Sequence, residues 1–93
     1  MPDTRKLRDL AGVGKAFLKD FEQLGIRNVD QLKKQNGQKL YQRLCHLTGA
    51  RQDPCVLDTL NCAIAQAKDP NLPPEKRNWW YYSRLRKAQA QSK

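Results

Sequence analysis

Four consecutive residues, Gly12-Val13-Gly14-Lys15, carry the most suggestive chemistry in the chain. Glycine accepts positive φ and lets other backbone come close. Val13 between the two glycines turns inward as a plug. The turn leaves the first amides of the following helix unpaired and pointing outward. A helix N-terminus carries partial positive charge and binds phosphate readily. Lys15 and Lys19 sit on the exposed side of that same helix start. Such a corner can hold one phosphate of a nucleic-acid backbone with amides plus a lysine, a contact that positions a protein without reading sequence. The bland alternative is a tight turn between two helices.

Three cysteines, Cys45, Cys55 and Cys62, are the next candidates. Cys55 and Cys62 are seven residues apart on one predicted helix, both about 150° from the centre of its apolar stripe at about 100° per residue. Either that helix is buried on both sides, or these thiols line a surface. Cys45-His46 could add metal ligands, yet no Cys-x-x-Cys pair or zinc spacing is present. Buried reduced cysteine acts as a small hydrophobe, so the thiols are read as packing and no metal or cofactor is assigned. His46 points away from the leucines of its helix and is read as a surface residue.

The tract Trp79-Trp80-Tyr81-Tyr82 places four aromatic rings around every side of a helix, so one face cannot bury them all. In one reading the tryptophans dock on the core and the tyrosines cover its rim. In the other, Trp79 and Trp80 form a stacking platform beside cations for unpaired bases. Arg84, Arg86 and Lys87 can touch phosphate under either. No Ser/His/Asp set, no paired carboxylates on an apolar face and no phosphate loop of the Gly-x-x-x-x-Gly-Lys type is present, so no enzyme is expected.

These residues must be positioned by helices, because no segment alternates with period two over a strand's length. Six helices are predicted. They cover Asp3 to Ala11, Gly14 to Leu24 (stopped by Gly25), Val29 to Lys34 (Asn28 as N-cap), and Gly37 to Thr48 (stopped by Gly49). The fifth runs from Asp53-Pro54, as N-cap and first helical position, to Lys68, and the sixth starts at Pro74 and fades into a frayed tail. Phe17, Phe21 and Leu24 share one face of the second helix. Leu40, Leu44 and Leu47 share one of the fourth, and Val56, Leu57, Leu60, Ala63, Ile64 and Ala67 one of the fifth. The chain thus reads as two helical hairpins joined by a short linker helix.

A length of 93 residues makes this a single domain with a modest core. Net charge is +9, of which +5 falls in residues 66–93. A basic chain of this size is drawn to polyanions. No apolar run is long enough to span a membrane and no secretory signal is read, so a cytoplasmic location with reduced thiols is expected.

The stretch "LAGVGKAFLKDFEQLGI" resembles the helix-hairpin-helix motif of DNA-repair and recombination proteins. The paired arrangement of residues 4–69 is similar to a double helix-hairpin-helix domain. A closer likeness, over about residues 7–82, is to a family of small bacterial proteins grouped under the pathogenicity-locus name and called mitomycin resistance proteins. It is carried by "GVGK", "LGIRNVDQL", "LYQRLCHLTG", "DPCVL" with "CAIA", and the tryptophan pair. A more distant likeness is to the C-terminal domain of competence regulators of the TfoX type. The resemblance implies an all-α, SAM-like double helix-hairpin-helix with a five-helix core over residues 4–69. A C-terminal aromatic and basic helix over 74–90 and a tail at 91–93 complete it. It implies a non-sequence-specific DNA-binding module, an accessory to DNA repair, with Gly12, Val13, Gly14 and Lys15 on a backbone phosphate. Lys19 and Arg51 would extend that contact. The second corner, "LTGARQD", departs from the motif, with Arg51 where a second glycine would stand, and Ala11 replaces a common proline. The other functional expectation is a protein-interaction module using Trp79 and Trp80 as a hot spot.

Overall fold

The computed structural model describes residues 5–91. These residues form five α-helices and no strand. The helices are α1 (Lys15–Gln23), α2 (Val29–Lys33), α3 (Gly37–Thr48), α4 (Pro54–Lys68) and α5 (Trp79–Gln91), with single 3-10 turns at Leu7–Asp9 and Pro74–Lys76. The expected start of the first helix at Asp3 and the end of the tail at Ser92-Lys93 lie outside the described residues.

Four helix starts and stops follow the local chemistry. Asn28 caps α2 by accepting from Gln31 N at 2.8 Å, and Asn36 caps α3 by accepting from Lys39 N at 3.1 Å. Asp53 caps α4 by accepting from Cys55 N at 3.0 Å, with Pro54 at the first helical position. At the end of α3, Gly49 takes φ +68° and Ala50 N donates to Cys45 O, a left-handed cap.

α4 is the central strut. α2, α3 and α5 all pack against it, while α1 packs on α3 and on the first 3-10 turn. Phe21, Val29, Leu32, Leu40, Leu44, Leu60 and Ala63 form the inaccessible centre of the core. The side of α4 opposite its apolar stripe is also covered: Asp58, Thr59, Cys62 and Gln66 are buried. Of the two alternatives open for the cysteine side, burial on both sides is the one observed. Gly37 marks a close approach of α3 to α4, since a Cβ there would meet the Asn61 side chain at 1.9 Å.

Four expectations are corrected. The first helix is only the 3-10 turn Leu7–Asp9, because Leu10 turns extended (ψ 136°) and the Ala11 peptide bonds to α4 instead of continuing a helix. The C-terminal helix starts at Trp79, not Pro74: Arg77 leaves the helical path, and its Nε donates to Leu72 O at 2.6 Å. Leu47 lies outside the core, 53% exposed at the last turn of α3. Trp79 and Trp80 are not buried in the core: they are 46% and 43% exposed, and α5 turns Ser83 inward with Tyr82 and Arg86 partly covered.

Candidate nucleic-acid interface

The first corner is built on α4. Gln66, buried on that helix, donates from Nε2 to Ala11 O at 2.9 Å and accepts from Ala11 N at Oε1 at 2.8 Å. Arg5 bonds the C-terminal carbonyls of α4, Gln66 O at 2.8 Å and Ala67 O at 3.0 Å, where a cation meets the negative end of the helix. The chain thus enters and leaves the 3-10 turn fixed to one strut. Gly12 then takes φ +84°, close above Thr59, and Val13 is buried as the plug that the sequence implied.

Gly14 is different. Its φ is −97°, so it does not use glycine's left-handed freedom, and a Cβ there would meet nothing within 4 Å. It is the N-cap of α1 and has no side chain to cap with. Among α1 to α4 this is the one start without a capping side chain. The first-turn amides of α1 therefore face solvent-side space that on α2, α3 and α4 is filled by an Asn or Asp oxygen. α1 also has no acidic residue in its first turn. It opens instead on Lys15, with Lys19 one turn later, and both are exposed. A cation at a helix N-terminus is unfavourable by a few tenths to about 1 kcal/mol unless an anion is present. Positive potential is concentrated there, and a phosphate would relieve it.

Arg51 occupies a different environment. It is exposed on the loop from α3 to α4, two residues before Asp53. The carboxylate of Asp53 already fills the α4 N-terminus, and the Cys55 N–H it accepts holds its pKa below the usual carboxylate value. The second corner therefore offers a phosphate one arginine beside a fixed negative charge, not a bare helix end. This is the physical content of the missing second glycine.

An open groove of roughly 670 Å³ runs between the first 3-10 turn and the loop from α1 to α2, lined by Lys6, Arg8 and Arg27 together with the acidic Glu22, and by the buried Leu7 and Ile26. Of the C-terminal cations, Arg86 is a correction. Its guanidinium is committed to the buried Asp58, Nε to Oδ1 at 3.0 Å and Nη2 to Oδ2 at 3.1 Å. That pairing raises the Arg86 pKa and removes the residue from any phosphate-binding row. Arg84 and Lys87 remain exposed.

Gln66, Asp58 and Arg5 were not singled out from the sequence as positioning residues. The available signal was that the polar side of the fifth predicted helix carries an acid and an amide that only a second covering layer would bury. His46 is exposed, as read. Cys62 is buried and Cys55 partly so; burial raises the Cys62 thiol, and the neighbouring Asp53 raises that of Cys55.

The family model described as Pathogenicity locus matches residues 2–88 of the chain. The mitomycin resistance protein McrB of Streptomyces lavendulae is 39% identical over 85 residues, which covers 91% of this chain and 77% of that protein. No solved structure matches the chain at a significant level. No helix among the described residues is long and apolar enough to cross a membrane.

Proposed function

The chain belongs to the pathogenicity locus family, and from that premise we propose that it is a non-sequence-specific DNA-binding module of the double helix-hairpin-helix kind. A backbone phosphate would sit at the N-terminus of α1, held by the first-turn amides and by Lys15, with Lys19 extending the contact. Arg51 would contribute only long-range attraction, because Asp53 closes its own corner. The module has a binding role and no catalysis of its own, works in the cytoplasm and serves DNA repair as an accessory. One relative is named for resistance to mitomycin.

The observation that carries the reading is the bare start of α1: an N-cap without a side chain, open space at Gly14, and a lysine in the first turn, where helices in general favour an acid. Binding of this kind releases counterions, so log affinity for duplex DNA falls linearly with log salt at about −0.9 per phosphate contacted. Lys15→Ala flattens that slope by about one contact and weakens binding to all sequences alike. An unchanged slope and affinity would remove Lys15 and the α1 start from the interface.

A further inference from the structure

Trp79 and Trp80 are adjacent in the first turn of α5, and neither is used to build the core: 46% and 43% of their surfaces face solvent. α5 packs on α4, where Arg86 pairs with Asp58, and it turns Ser83 inward with Tyr82 partly covered. Two large apolar rings exposed at consecutive positions of one helix of a small domain are costly to keep in water and call for a ligand. The surrounding charge says which kind. From Trp79 to Gln91 the helix carries Arg84, Arg86 and Lys87 and no acidic residue. The Arg84 guanidinium lies over the Trp80 ring, 4.4 Å from its centroid, so a flat cation and a flat indole already form one stack. Exposed indoles interleaved with arginine and lysine match the two features of a single strand: bases with a π-face and phosphates with negative charge.

From this we infer that the first turn of α5 is a second nucleic-acid site, one that stacks unpaired bases of single-stranded DNA on Trp79 and Trp80. Arg84 and Lys87 attract the strand's phosphates. The site is separate from the α1 corner, which engages phosphate of a duplex, and it stands whether or not that corner binds.

The chain has two tryptophans, both at this site, so tryptophan emission, excited beyond the tyrosine band, reports on it alone. Titration with a short oligothymidylate at low salt is expected to quench that emission saturably. An abasic strand with the same phosphates should leave it nearly unchanged. Stacking accounts for about 1–3 kcal/mol per base, so Trp80→Ala should lower oligothymidylate affinity by about 5- to 150-fold, while Trp80→Phe, which keeps a π-face, retains most of it. Lys15→Ala should leave the quench as it is, which separates this site from the corner. Absence of a saturable quench, equal quenching by the abasic strand, or equal affinity of Trp80→Ala and the parent would overturn the inference. So would sedimentation showing that the tryptophans are covered by a second copy of the chain or by an added acidic peptide and are closed to the oligonucleotide.

Discussion

The side-chain amide of Gln66 clamps the peptide of Ala11 from both sides, donating at 2.9 Å and accepting at 2.8 Å across 55 residues of chain. The corner that follows is therefore aimed by a helix far away in sequence. Gln66→Leu keeps the volume and removes both hydrogen bonds, leaving Ala11 N–H and C=O without their partner. The expected loss is about 1–3 kcal/mol in urea unfolding. Duplex affinity should fall as well, because Gly12 and Gly14 are no longer held in place. A variant that loses stability but binds duplex as tightly as the parent would show that the clamp supports the fold alone.

The two glycines of the corner should separate under alanine substitution. Gly12 has φ +84°, where a Cβ is strained by about 1–2 kcal/mol, so Gly12→Ala should unfold at lower denaturant. Gly14 is extended and its Cβ would enter open space, so Gly14→Ala meets no clash and should cost at most about 1 kcal/mol, the preference of an N-cap for glycine over alanine. Its larger effect is expected in binding, because the methyl group would stand where the proposed phosphate sits. Unfolding curves and duplex titrations on the same two variants check both halves.

Asp58 and Arg86 form an asymmetric pair. The carboxylate is fully buried, while 36% of the arginine side chain reaches solvent. Arg86→Met strands a buried charge and should cost about 3 kcal/mol or more. Asp58→Asn leaves an arginine able to swing to water, at about 1–2 kcal/mol. The order of the two midpoints is the test; the reverse order would mean that the pair is looser in solution than its geometry.

The docking of α5 should weaken in alkali. Burial pushes the Tyr82 phenol from 10.0 up to about 12 and raises the Cys62 thiol above 9.0. Both groups keep their protons longer in the folded chain than in the unfolded one. Their contribution is complete below the ordinary pKa values and fades as pH rises through the folded ones. Stability should fall from about pH 9 towards pH 12, and Tyr82→Phe should make that fall shallower above pH 10. Parallel curves for the two proteins would contradict the assignment to Tyr82.

Local signals were legible wherever local chemistry decides. Asn28 and Asp53 cap their helices, Gly49 ends α3 left-handed, and Val13 plugs the corner. The cap that Asn36 provides for α3 was not read. The family and the all-helical class were legible from short motifs such as "GVGK". What was not legible depends on contacts between distant elements. Leu7 to Ala11 has a helical pattern, but Gln66 and Arg5 hold it as one turn followed by extended chain. Leu47 shares the helical register of Leu40 and Leu44, yet it lies at the end of α3 and stays half exposed. Arg86 sat among apparent surface cations until the buried Asp58 claimed it. The candidate site itself is local, a corner and one helix start, which is why its residues could be named from the sequence while the groups that aim it could not.

The central claim, that the start of α1 holds a backbone phosphate, is tested most directly by amide NMR. A short DNA duplex is titrated into the protein at low salt. The amides of Gly14, Lys15, Ala16 and Phe17 are expected to shift together, and to return when salt is added, as phosphate contacts must. If those amides stay in place while other signals move, the corner is a turn and the duplex is bound elsewhere or not at all.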